Sequence, residues 1–241
     1  MVSFPGKPVG WSRGKAKRKS NKGGASDRAH HRELFELAAQ SEVDLIVGID
    51  PDCKNVGMGG FEVLHGPSWV ATTHVKDLKA QQAGPEVFRQ CREALTEADN
   101  LLSVTARVLV IVEGMRIRRA QSDAATKNPQ SLVDVSFCGG MAAGAALSVW
   151  PDAIVVVAEP QTWKGGVPKE IHHARLLDSL GWDYEVMSGY ARPTGEVPVA
   201  KLSKINKADW KHVMDGIGLA LWGQSELKKA AARLRREAGR K

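Results

Sequence analysis

Three short runs along the chain are almost wholly apolar: residues 43–50 (VDLIVGID), 107–114 (RVLVIVEG) and 153–159 (AIVVVAE). Apolar runs of this length, rich in β-branched residues, predict strands buried on both faces of a sheet. Between the first two, GMGGFEV (57–63) and WVATTHV (69–75) flank a turn at Gly66-Pro67 and predict an antiparallel meander. The period then changes. Val87, Cys91, Leu95, Ala98 and Leu102 recur at intervals of three to four behind Pro85, which predicts an amphipathic helix over 85–104. A short helix over 30–40 gathers Leu34, Leu37 and Ala38 on one face, and Asn128-Pro129 opens a helix of small residues over 129–148. Helices over 169–180 and 208–221 follow, with a basic helix or tail over 225–238. Three strands, helix, strand, helix, strand and two helices describe an α/β fold: a mixed five-stranded sheet flanked by helices.

Charge divides the chain into three. Residues 1–29 hold eight Lys/Arg against Asp27, the last fourteen hold seven against Glu237, and the whole chain is +7, so the middle is acidic. The first segment has almost no branched aliphatics and predicts a disordered basic arm over 1–29. The expected organisation is that arm, one domain over 30–224, and a basic C-terminal helix or tail over 225–241. Basic ends attract polyanions over long range without needing fixed structure. No run approaches the roughly 18 apolar residues of a membrane span, and the N-terminus shows no apolar core of a secretory signal; an intracellular, cytoplasmic protein is expected. Cys53, Cys91 and Cys138 are far apart in sequence with no Cys-x-x-Cys pair, which argues against a disulfide framework or structural zinc.

The chemistry is carried by acids at special places. Two of the apolar strands end in one, Asp50 and Glu113, and the late helix HVMDGIGLAL supplies a third, Asp215. Strand-end residues on neighbouring strands lie side by side, so these carboxylates are expected to converge at one sheet edge facing a helix. Converging carboxylates repel one another unless cations neutralise them, and an oxygen-rich set suits Mg²⁺ or Mn²⁺. Two such ions about 3.5–4 Å apart serve phosphodiester hydrolysis by activating water and stabilising the leaving oxygen.

Residues 46–52 (IVGIDPD) resemble the Gly-Ile-Asp-Pro-Gly motif of RuvC-type Holliday-junction resolvases, in the ribonuclease-H-like superfamily, and VLVIVEG (108–114) is similar to their second catalytic strand. KNPQSLVDVSFCGGMAAGAAL (127–147) resembles the segment that follows, and HVMDGIGLAL (212–221) the closing helix. Together the matches run over roughly 44–222, in a divergent, phage-type form. The resemblance implies a ribonuclease-H-like fold and an Mg²⁺-dependent endonuclease that nicks four-way DNA junctions in pairs, with two ions per site and Mn²⁺ able to substitute. It implies Asp50, Glu113 and Asp215 as metal ligands, with His212, one helical turn before Asp215, as a ligand or water-positioning group. Lys164 and Lys169 stand where the family places cations near the scissile phosphate.

The sequence departs from the family in three places, one of them the stretch 183–206, which is longer than the family's connection before the last helix. Asp52 replaces the motif's last glycine, and GMRIRRA (114–120) replaces a stretch that often carries a junction-wedging aromatic. Arg116, Arg118, Arg119 and Lys127 are expected to grip phosphate. A homodimer is expected to match the two-fold symmetry of a junction, with Gly139, Gly140, Ala142, Ala143, Gly144, Ala145 and Ala146 offered as a close helix contact. The adjacent His172 and His173 face different directions on a helix and read as surface residues; Trp163 reads as a buried plug or a base-stacking ring. Two other readings compete: a nuclease of this fold acting on flap DNA or RNA, and a non-catalytic DNA-binding scaffold.

Overall fold

A computed structural model describes residues 23–75, 80–102, 106–114 and 129–240. Its helices are α1 (Gly23–Gln40), α2 (Ala80–Leu101), α3 (Pro129–Val149), α4 (Pro160–Trp163), α5 (Lys169–Leu180) and α6 (Trp210–Ala238). The strands are β1 (Leu45–Asp50), β2 (Gly57–Glu62), β3 (Gly66–Thr72), β4 (Val108–Glu113), β5 (Ile154–Ala158), β6 (Tyr184–Met187), β7 (Tyr190–Pro193) and β8 (Ala200–Lys201).

The main sheet runs β5-β4-β1-β2-β3-β8, with β6 and β7 forming a separate hairpin. β1, β2 and β3 make the antiparallel meander, and β4 and β5 lie parallel to β1. This is the mixed sheet of the ribonuclease-H-like expectation with one strand more than the five predicted. The two-residue β8 pairs in parallel with the outer edge of β3. It belongs to the stretch 183–206, whose polar composition gave no strand signal.

Side-chain alternation sorts the sheet's two faces. Leu45, Val47 and Ile49 of β1 and Val108, Val110 and Val112 of β4 pack with α2 and α3. Ile46, Leu109 and Ile111 point the other way, toward α1 and α6. The same parity sends Asp50 and Glu113 to the α6 face. In the register Ile49 pairs with Val112, so the two acids leave their strands at the same edge.

α6 reaches that edge because glycines let it touch the sheet's backbone. A Cβ on Gly48 would stand 2.0 Å from the Gly216 carbonyl oxygen, and one on Gly57 would stand 2.1 Å from the His212 carbonyl carbon. Gly57→Ala is therefore expected to destabilise the chain by about 2–3 kcal/mol, the upper part of the overpacking range, because backbone must give way. Chemical denaturation of the variant checks this; a midpoint equal to that of the parent would contradict the close approach.

Several boundaries differ from the sequence reading. α1 begins at Gly23, so residues 23–29 are helical; residues 1–22 of the expected arm lie outside the described residues. α2 begins at Ala80 and holds Pro85 inside it. The helices expected over 208–221 and 225–238 are one, since nothing in WGQSELKK breaks the turn, and α6 runs 29 residues. The small residues offered as a subunit contact are largely used within the chain. Ala142, Ala145 and Ala146 are buried with α2's Val87, Cys91 and Leu95, and a Cβ on Gly139 would stand 3.2 Å from Pro51. The outward side of α3 carries Val133, Phe137 and Leu147, all exposed. Two of the cysteines, distant in sequence, meet: the Cys138 thiol lies 3.2 Å from the Cys53 sulfur, and burial pushes Cys138 up to about 12.

Candidate active site

At the edge where β1 and β4 end, strand parity and the glycine contacts bring the buried Asp50, His212 and Asp215 together with the partly buried Glu113. Asp50 is 7% exposed, Asp215 1% and His212 8%. The His212 Nδ1–H donates to Asp50 Oδ2 at 2.8 Å, joining the start of α6 to the end of β1. That bond fixes the imidazole's tautomer and leaves Nε2, 3.7 Å from Asp52 Oδ2, as the other ring nitrogen. Asp52, the departure from the family motif, thus stands beside the cluster.

β5 ends at the same edge and turns directly into α4, which starts with Pro160 and delivers Trp163 and Lys164 onto Glu113. Trp163 Nε1–H donates to Glu113 Oε2 at 2.9 Å, and Lys164 Nζ reaches the same oxygen at 3.3 Å. The ammonium also lies 3.8 Å from Asp215 Oδ2 and 4.8 Å from the centre of the Trp163 ring. Trp163 is buried, the first of its two expected placements, but its edge is polar and committed to a carboxylate.

α5 supplies the rest. Lys169 makes an ion pair with Asp215 Oδ2, while His173 Nε2–H donates to Asp215 Oδ1 at 2.9 Å. The surface reading of the two histidines is corrected here. His173 is fully buried, and the His172 ring packs edge-on against Trp163 with centroids 5.0 Å apart. Both histidines lie one helical turn from Lys169, on the face of the helix turned to the site. A polar residue one helical turn from Lys169 was the available signal; the sequence could not show which way the helix faces.

The electrostatics follow from burial and crowding. Burial, followed by repulsion from Asp50, raises Glu113 to about 7 despite the attraction of Lys164. Asp50 is raised for the same first reason, against the bond from His212. Burial also pushes Asp215 upward, but the His173 bond and the two lysine charges outweigh it and hold the carboxyl at about 2. Lys169, although burial disfavours its charge, is raised by Asp215 and Asp50. Burial and the neighbouring His173 lower His172 to about 4.

Among the described residues no three His, Cys, Asp or Glu side chains are gathered closely enough to hold a metal ion together. The chemistry of the donor set nevertheless fits a hard divalent cation: three mutually repelling carboxylates and an imidazole in one buried cluster. The two lysines, which rest on Glu113 and Asp215, supply only part of the positive charge it calls for, since Glu113 and Asp50 both stay raised. Arg116, Arg118, Arg119 and Lys127 fall outside the described residues. All six residues expected to be catalytic therefore converge, and His173 and Trp163 join them.

These features define a mixed α/β sheet with a buried acidic cluster, clamped by lysines, at the ends of its parallel strands. No protein-family model matches the chain, and no curated protein does. Among solved structures, it is similar to Thermus thermophilus RuvC in complex with a Holliday junction substrate, at 16% identity and TM-score 0.45, over 79% of this chain and 95% of that one. Another Thermus thermophilus RuvC structure gives 17% identity and TM-score 0.41 over 79% and 96%. The yeast mitochondrial Holliday junction resolvase Ydc2 gives 12% identity and TM-score 0.41 over 85% and 92%.

Proposed function

We propose that this chain is a divalent-metal-dependent endonuclease that resolves four-way DNA junctions by paired phosphodiester nicks. The observation that carries this reading is the convergence of the buried Asp50 and Asp215 and the partly buried Glu113, with Lys164 and Lys169 against them. A structural role is a poor explanation for such a cluster, because several buried charges cost more than the apolar side chains that would replace them. Asp50, Glu113 and Asp215 would hold Mg²⁺ or Mn²⁺, with His212 either a further ligand or the group that positions water; the bound cation lowers the pKa of water and stabilises developing negative charge.

The chain's own groups divide the remaining work. Lys164 and Lys169 present positive charge where a phosphate gains negative charge, and their ammoniums suit it as point charges. His212, fixed through Nδ1 on Asp50, has its Nε2 available to orient or accept from a water. Buried walls around the acids, Trp163 among them, keep bulk water from screening these charges.

A junction has two equivalent strands to cut, so the reading includes a homodimer with one site per subunit. The outward residues of α3, Val133, Phe137 and Leu147, are the apolar surface available for that contact. The test is digestion of a synthetic junction with end-labelled arms beside flap, duplex and single-stranded DNA. Symmetric Mg²⁺-dependent nicks in the junction support the proposal. Preference for the flap would favour the alternative substrate suggested by GMRIRRA, and no cleavage with either Mg²⁺ or Mn²⁺ would leave a binding scaffold.

The basic segment 1–29 is proposed to bind DNA phosphates. Removing it takes away eight Lys/Arg, so the slope of log affinity against log salt should become shallower by about 0.9 for each phosphate the segment had neutralised. An unchanged slope would refute its role.

A further inference from the structure

Beside Lys169, α5 carries two histidines that the proposed chemistry does not use, His172 and His173. Lys169, His172 and His173 occupy positions i, i+3 and i+4, and therefore one face of the helix, directed at the site. Lys169 takes one oxygen of Asp215, Oδ2, and His173 takes the other, Oδ1, at 2.9 Å. The terminal torsion of a carboxylate is broad and nearly two-fold. Two donors on opposite oxygens remove that freedom.

Resting on the proposed function, we infer that His173 is a positioning residue: through its Nε2 it fixes the plane of the carboxylate of Asp215, one of the acids that would hold the cation.

Three observations support this. His173 is fully buried, and among the described residues its Nδ1 has no hydrogen-bond partner. A buried imidazole with one nitrogen unmet costs stability that leucine at the same place would not, so its position is poorly explained by packing. Asp215 is 1% exposed and cannot reorient through solvent. Finally, the adjacent His172 braces the Trp163 ring that donates to Glu113, so one helix face supports two of the three acids. Gly218 permits this closure: a Cβ there would stand 2.7 Å from Trp163 Cζ3 and 3.2 Å from His172 Nε2.

A positioning His173 differs measurably from a ligand and from a core residue. Groups that orient ligating side chains typically change metal affinity or activity by about 10–100-fold when removed. His173→Leu keeps an apolar core and removes the donor. His173→Gln restores an N–H of similar reach, and His173→Asn is one bond shorter.

Mn²⁺ uptake is measured by calorimetry on the full chain without DNA, together with the Mg²⁺ concentration for half-maximal nicking and the kcat and KM for a junction. Expected are Mn²⁺ binding by wild type, binding about tenfold or more weaker in His173→Leu and His173→Asn, and recovery of most of it in His173→Gln. The Mg²⁺ requirement should rise in parallel and kcat should fall, with KM for DNA within about twofold. Equal Mn²⁺ affinity in wild type, His173→Leu and His173→Asn overturns the positioning role while leaving the metal site standing. A wild type that takes up no Mn²⁺ overturns the metal reading, and this inference with it. Should His173→Leu not fold, the Gln and Asn pair decides: indistinguishable affinities overturn the role.

Discussion

Glu113→Gln and Asp50→Asn are each expected to lower junction nicking by about a thousandfold or more, at least 4 kcal/mol of barrier, while junction affinity measured without divalent metal stays within a few-fold. Both replacements keep the shape of the side chain and an oxygen that accepts. In Glu113→Gln the amide oxygen still receives the Trp163 N–H, and in Asp50→Asn it still receives the His212 Nδ1–H. Packing is thus preserved and the negative charge is removed. Since DNA affinity is assigned to cations elsewhere, removing a buried anion should not weaken binding. Asp215→Asn is a less clean test, because Lys169 and Lys164 would be deprived of the anion they share and the fold would be weakened too. Retention of more than a tenth of the activity in either isosteric variant would end the assignment of these carboxylates to the reaction.

What the sequence disclosed about this site came from alternation and from chain ends. An apolar run that stops at an acid announces both a buried strand and the edge where the acid emerges, and β1 and β4 behave accordingly. The common parity of Asp50 and Glu113 could be counted from the strands once their register was known, and the periodicity of HVMDGIGLAL placed His212 and Asp215 one turn apart. The glycines of VGID and GMGG were visible, but their purpose, close approach to the backbone of α6, depends on which helix crosses them. The roles of His173 and Trp163 were missed for the same reason: a helix's outward and inward faces are legible only when its apolar stripe is strong. α5 has only two fully enclosed positions, His173 and Leu177, so its buried face contains the very histidine that a polar reading sends to solvent. The run 183–206 hid a hairpin and the short β8 because those strands are brief and partly exposed.

The raised Glu113 links the site's charge to stability in a way that pH can expose. Its carboxyl stands at about 7 in the fold against an ordinary 4.5, so its contribution to stability is complete below about pH 4.5 and is lost as pH rises through 7. The loss, at about 1.4 kcal/mol per pH unit, is on the order of 3 kcal/mol. Wild-type melting curves alone would conceal it. His172, held at about 4 against an ordinary 6.5, works in the opposite sense: its stabilisation is present above 6.5 and lost as pH falls through 4. The two windows overlap and nearly cancel. Asp215, held at about 2, adds stability above about 4 that disappears only in stronger acid. The informative quantity is therefore the difference between wild type and Glu113→Gln, in which His172 and Asp215 largely drop out. In metal-free buffer the two should melt alike at pH 5, and the variant should be more stable at pH 8 by roughly 6–12 °C, at about 2–4 °C per kcal/mol for a chain of this size. Saturating Mn²⁺ at pH 8 should stabilise wild type by about 3 kcal/mol at a hundred times its dissociation constant and the variant far less, because the cation requires the ionised acid. Equal melting temperatures for the two proteins from pH 5 to pH 8 would mean that Glu113 ionises as an ordinary solvated carboxyl, and that the crowding of charge on which a cation would act is absent.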